Sequence, residues 1–217
     1  MPTILSDIET RVLGSLVEKQ VTTPEYYPLT LNALTAACNQ KNNRSPVTSY
    51  SPDAVEQAME SLREKNLGYV FYGSTSRVPK YKHVVPEVLH LNAAELAIMC
   101  VLMLRGAQTP GELRGNGSRL YEFSGLDEVE QTLNALMSRD GDPLVARLPR
   151  QPGQKEVRFA HLLNGEIPTD VEVESAAPRR AAPSPDRVSV LEQEVVSLKA
   201  QVQDLQQQFD EFKKQFE

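Results

Sequence analysis

The chain has no tryptophan, only two cysteines in 217 residues, and no apolar run near the roughly 18 residues that a membrane span needs. Cys38 and Cys100 stand alone, without CxxC or Cys/His spacing, which argues against a disulfide framework and fits buried free thiols in a reducing compartment. The first residues lack the basic-then-apolar pattern of a secretory leader, so a cytoplasmic location and no membrane partner are expected. His83, His90 and His161 are scattered, with no His/Asp/Glu cluster at metal-ligand spacing. No glycine-rich phosphate loop precedes a helix, and Gly115-Asn-Gly117 reads as a turn or helix terminator. Neither catalysis nor a cofactor or metal is expected.

Positive charge is not in excess either. Lys and Arg number 23 against 29 Asp and Glu, a net charge of −6. Residues 1–90 balance at nine each, residues 91–165 carry eight against nine, and residues 166–217 carry six against eleven. The acidity therefore sits in the tail. Such a total is unlike a typical nucleic-acid binder, but local patches rather than totals set the field that a phosphate meets.

What the chain does have is repetition. Leu5-Ser-Asp-Ile-Glu9, Leu16 and Thr23-Pro24 return as Leu91-Asn-Ala-Ala-Glu95, Leu102 and Thr109-Pro110, all displaced by 86 positions. Val55-Glu-Gln57 and Leu62 return as Val129-Glu-Gln131 and Leu136, displaced by 74, so the first copy carries about a dozen extra residues between the echoes. Two related domains are expected, over residues 1–88 and 89–165. Domains this small bury only about 60% of their unfolded-chain surface, so packing of one on the other is expected as well.

Each copy spells the same order of elements. In the first, Ser6 caps a helix to Lys19 with Glu9 completing a capping box, and Ile8, Val12, Leu13, Leu16 and Val17 share a stripe. Thr23-Pro24 opens a short turn, Thr30 caps a helix to about Asn39, and Ser51-Pro52 starts a third. Tyr69–Tyr72 and Val78–Val85 then read as a β-hairpin. The second copy gives helices from Ala93 to about Arg105, from Thr109-Pro110, and over 126–138, followed by strands at 144–148 and 157–162. The fold class is α+β, mainly helical: two tandem winged-helix domains, each a helix-turn-helix plus hairpin.

Residues 166–186 are rich in Pro, Ala, Glu and Ser and read as a disordered linker. Residues 187–217 read as a coiled coil, with Val188, Val195, Val202, Phe209 and Phe216 at a and Leu191, Leu198, Leu205 and Phe212 at d. Val at a with Leu at d favours a parallel homodimer, and Arg187–Glu192 and Glu194–Lys199 suit its g–e flanks. Folding of this helix back on its own domains is the alternative.

The stretch Glu18-Lys-Gln-Val-Thr-Thr-Pro-Glu-Tyr-Tyr-Pro28, with Ala36-Ala-Cys-Asn-Gln-Lys41 and Asn43-Arg44, is long and distinctive. So is Leu104-Arg-Gly-Ala-Gln-Thr-Pro-Gly-Glu-Leu-Arg114 with Tyr121-Glu-Phe-Ser124. Over about residues 5–165 the chain resembles the YceH family of bacterial proteins. The resemblance implies two tandem winged-helix domains and no particular activity, and the heptad tail lies outside it.

A winged helix that reads DNA usually sets its third helix in the major groove. Here the third helices would expose Asp53, Glu56, Gln57, Glu60, Arg63 and Glu64 in one copy, and Asp127, Glu128, Glu130, Gln131, Asn134 and Arg139 in the other. Carboxylates facing phosphates are repelled, so groove reading by these helices is not expected. Positive charge lies instead at Lys41 and Arg44 before the third helix, at Arg77, Lys80 and Lys82 on the first wing beside Tyr81, and at Arg147, Arg150, Lys155 and Arg158 on the second. These are the candidate nucleic-acid contacts, giving strongly salt-dependent and weakly sequence-specific binding. Solvated charges that blunt an edge strand would look the same. The reading is a DNA-associated, regulator-like binding protein; the alternative is a protein-interaction adaptor, for which Tyr26 and Tyr27 would serve if exposed. Packing of these tyrosines between the domains is preferred over that use.

Overall fold

A computed structural model describes residues 4–72, 78–150 and 156–165, all within one compact unit, Met1–Val171. The linker and the heptad positions Val188, Leu191, Val195, Leu198, Val202, Leu205, Phe209 and Phe212 lie outside the described residues. The architecture is α+β and helix-rich. Helix α1 (Asp7–Thr22) leads through a 3-10 turn (Pro24–Tyr26) and strand β1 (Leu29–Thr30) to α2 (Leu31–Cys38) and α3 (Pro52–Glu64). Strands β2 (Gly68–Phe71) and β3 (Lys80–His83) follow, then the short α4 (Val85–Leu89). The second copy runs α5 (Ala93–Arg105), α6 (Pro110–Gly117), α7 (Leu126–Met137), β4 (Val145–Arg147) and β5 (Phe159–His161).

Local chemistry sets the helix starts. Ser6 and Glu9, Asn92 and Glu95, and Thr109 and Glu112 each form a reciprocal capping box, while Thr30 and Ser51 cap α2 and α3 through their hydroxyls. Both hairpins are antiparallel. The first has a third strand that the sequence does not announce: β1 pairs with the far edge of β3, giving the order β1-β3-β2.

The largest departure from the expected pattern is α1. A single apolar stripe is predicted, yet Glu9 through Glu18 are buried without a break. The cause is that α2 and α3 cover one side while α5, from the other copy, covers the opposite one. Helix α5 is buried likewise from Ala97 to Leu104. The two copies share one continuous core, in which each fully buried Leu, such as Leu13, Leu16 or Leu102, contributes about 1.5–3 kcal/mol. Gly14 lies at the crossing: the Cys100 thiol sits 3.5 Å from its carbonyl oxygen. Positions 14 and 100 differ by the repeat offset of 86. Equivalent positions in contact are what an isologous pairing puts on its two-fold axis.

A Cβ on Gly14 would stand 3.0 Å from Leu104 Cγ and 3.1 Å from Met103 Cβ. Gly14→Val is therefore expected to lower stability by about 1–3 kcal/mol through overpacking, read as a lower urea midpoint. An unchanged midpoint would contradict the close α1–α5 crossing. Further ties cross between the copies: Leu5 N–H donates to Leu163 O at 2.7 Å, Ser45 N–H to Leu104 O at 2.9 Å, and Arg105 to Asn43 Oδ1 at 2.8 Å.

Candidate nucleic-acid interface

The nine cationic positions singled out in the sequence separate into different environments. Lys41 is exposed on the connection between α2 and α3, and Arg147 is exposed at the end of β4. Arg150 is exposed beyond it, whereas Arg77 and Lys155 lie outside the described residues. Arg44 is a correction. Its side chain is wholly enclosed, with Nη2 2.6 Å from Glu18 Oε2 and Nη1 3.2 Å from Glu18 Oε1. Its Nε and Nη2 also donate to Ala37 O at 3.1 and 2.8 Å, so no donor is left for a phosphate in the folded chain. Burial alone would raise the Glu18 carboxyl, but Arg44, then Lys19 and Arg119, outweigh it and hold the group below the usual carboxylate range. Arg158 is a second correction: half-buried, it forks onto Glu112 at 2.9 and 3.0 Å and donates to Ala107 O. It anchors the second hairpin to α6 rather than facing solvent.

Lys80 and Lys82 remain, and the register of the hairpin brings them together. Alternate residues of a strand share a face, and directly paired residues share it across strands. Tyr69 pairs with Lys82 and Phe71 with Lys80. The outer face of β2–β3 thus carries two aromatic–lysine pairs, with Lys82 Nζ 5.2 Å from the centroid of the Tyr69 ring. Tyr69 is 54% exposed, Phe71 43% and the adjoining Tyr72 71%. In the sequence Tyr69–Tyr72 reads only as a β-forming run, and Tyr81 stands beside the lysines. Tyr81 instead points into the core, its hydroxyl 3.4 Å from Glu56. The i, i+2 spacing of Tyr69 and Phe71, set against that of Lys80 and Lys82, is the signal that could have shown the shared face.

The inner face of the same hairpin is closed against the core. Tyr27 is half-buried, and its hydroxyl accepts from His83 N–H at 2.7 Å. Its ring meets the His83 ring within the first copy rather than between copies, and Tyr26 stays in solvent, so neither tyrosine packs between the domains. His83 Nδ1 accepts from Val85 N–H at 3.2 Å, and burial pulls the imidazole down to about 4. On α3 the expected exposed residues Asp53, Glu56, Gln57, Glu60, Arg63 and Glu64 are all exposed, with Arg63 paired to Glu60 at 3.2 Å. On α7, Glu128 accepts from Tyr121 and Ser124 and closes the α6–α7 connection. Among the described residues no group of three or more His, Cys, Asp or Glu could hold a metal ion, and no helix is long and apolar enough to cross a membrane.

These features define a helix-rich α+β protein built on an internal duplication, with acidic third helices and one hairpin face that pairs lysine with aromatic residues. A family model described as a protein of unknown function, DUF480, matches residues 5–154. The chain belongs to this family. A UPF0502 protein of Opitutus terrae is 52% identical over 196 residues, covering 90% of this chain and 84% of its own. A UPF0502 protein of Geobacter sulfurreducens is 48% identical over 221 residues, covering the whole of both chains. An Enterobacter relative with the same family name is 48% identical over 200 residues, covering 90% of this chain and 93% of its own.

Proposed function

We propose that the chain is a non-catalytic, nucleic-acid-associated protein: two tandem winged-helix repeats that touch phosphates through their hairpins, held as a cytoplasmic homodimer by the C-terminal heptads. The observation that carries this reading is the outer face of β2–β3, where Lys80 and Lys82 stand across from Phe71 and Tyr69. The exposed acids of α3 support it from the other side, because a helix bearing Asp53, Glu56 and Glu60 outward is repelled by a phosphate-lined groove. Exposed Lys41 and Arg147 add positive charge. Binding of this kind is salt-dependent and weakly sequence-specific.

Anisotropy titration with labelled DNA at low and physiological salt tests it. The triple variant Lys41→Glu, Lys82→Glu, Arg147→Glu is expected to bind at least about tenfold more weakly at low salt, with a shallower salt dependence. No binding at low salt, or binding untouched by the reversals, sinks the reading. The second reading, a protein-interaction adaptor, draws on exposed Tyr26 and the acidic face of α3. It is favoured if one stoichiometric protein partner is captured and then lost on changing Asp53, Glu56 and Glu60 to their amides. The dimer is checked by sedimentation of a chain ending at Gly165, which is expected to be monomeric.

A further inference from the structure

We propose that the outer face of the first hairpin is a stacking platform for unpaired nucleotides, so that the nucleic acid is single-stranded where it meets β2 and β3. This rests on reading the hairpins as phosphate-contacting surfaces, and it goes further by naming the form of nucleic acid. Among the described residues strand β2 is an edge of the sheet order β1-β3-β2, and its Tyr69 and Phe71 point away from the core that receives Tyr81 and His83. The two rings lie two residues apart on one strand, each with a lysine directly across. The strands themselves place no carboxylate on this face: its positions are Tyr69, Phe71, Lys80 and Lys82.

That combination fits one class of polymer. A base within a duplex has both π-faces covered by its neighbours and offers only its edges, which a flat aromatic surface cannot use. An unpaired base offers a face to stack on, and its backbone phosphate lies within reach of a long cationic side chain. Lys82 caps the Tyr69 ring in the free protein. A stacking base takes over the ring and leaves the ammonium to the adjacent phosphate. Two aromatics on successive same-face positions take successive bases, as stacking platforms on sheets do.

The duplication supplies a comparison inside the chain. In the second hairpin the outward cross-strand pair is Ala146 with Ala160, and the aromatic Phe159 is turned into the core. Arg147, exposed at the strand end, pairs with Phe159 on the other face and has no ring across from it that is open to a base. The second hairpin can therefore contact phosphates but cannot stack a base between those strands.

The test is an anisotropy titration of the full chain with labelled oligothymidylate, oligouridylate and a mixed duplex, each about 20 nucleotides long, at low and physiological salt. Single strands are expected to bind at least about tenfold more tightly than the duplex. Tyr69→Ala with Phe71→Ala is expected to weaken single-strand binding by about tenfold to a hundredfold while leaving the salt slope unchanged. Tyr69→Leu with Phe71→Leu keeps apolar bulk on the strand and is expected to lose nearly as much. Lys80→Gln with Lys82→Gln is expected to flatten the salt slope instead. Duplex bound as tightly as single strand, or aromatic variants that bind like the parent, overturns the platform. Duplex binding without single-strand binding overturns it and leaves the phosphate reading standing. Binding to neither form overturns both, and loss of self-association in the aromatic variant would then assign the face to protein contact.

Discussion

Arg44→Ala is expected to lower folding stability by about 3 kcal/mol, toward the lower end of what breaking a buried ion pair costs. The guanidinium has no exposed surface and Glu18 almost none, and their closest approach is 2.6 Å. Truncation leaves the Glu18 carboxylate with Arg119 at 3.5 Å and Lys19 at 3.7 Å, both more solvated and less well aligned. It also strips Ala37 O of both arginine donors and Asn43 O and Gln40 Oε1 of one each. One term works the other way. Buried Arg11, whose donors hold Pro46 O and Cys38 O, is depressed by burial and then by the Arg44 charge, so removing that charge relieves some repulsion. Arg44→Lys keeps the charge but not the fork that meets both oxygens of Glu18, and is expected to lose most of the same stability. Urea unfolding at neutral pH, run as a double-mutant cycle with Glu18→Ala, reads the coupling directly. A phosphate-binding Arg44 gives the opposite pattern: unchanged midpoint, weakened nucleic-acid binding.

That contrast marks where sequence reasoning reaches its limit. The capping boxes at Ser6/Glu9 and Thr109/Glu112 and the span of α5 are legible because their partners lie three residues away and the chemistry is local. An arginine in a polar connection reads the same whether water or a carboxylate surrounds it. The partner of Arg44 is 26 residues distant, on helix α1, and only the packing of that helix brings it there. The all-round burial of α1 is hidden for a related reason: Gly14 and Thr10 become interior because Leu104, Met103 and Asn164 of the second copy cover them, not because they are apolar. The face shared by Tyr69, Phe71, Lys80 and Lys82 is half legible. Alternation fixes which residues of each strand go together, but their pairing depends on hairpin register, which the turn sets. The two-residue strand β1 carries no periodic signal at all.

A second large effect is expected on acidification. His83 is buried, its Nδ1 accepts from Val85 N–H, and its Nε2 has no hydrogen-bond partner among the described residues. Burial lowers its pKa from 6.5 to about 4, with Glu87 opposing only weakly. Above pH 6.5 both folded and unfolded chains hold the ring neutral. Below it the unfolded chain takes up a proton that the folded chain refuses until about pH 4, so stability falls as pH drops through that window. The loss is about 1.4 kcal/mol per pH unit, or about 3 kcal/mol by pH 4 from this residue. His161, drawn to about 4 by burial despite Asp7, steepens the same limb. Glu9 extends it: burial would raise its carboxyl, but Lys65 at 2.5 Å and the Ser6 cap outweigh that and hold it at about 2. Its contribution is therefore present above about pH 4.5 and lost as pH falls through 2. Urea midpoints from pH 7.5 to 4 are expected to decline steadily. His83→Gln is expected to start less stable, since the amide places an unpaired donor in the same enclosed site, yet to decline with a visibly shallower slope. A parent flat between pH 6.5 and 4.5, or one whose slope His83→Gln does not change, removes the buried histidine from the account and leaves the carboxylates alone to explain any acid unfolding.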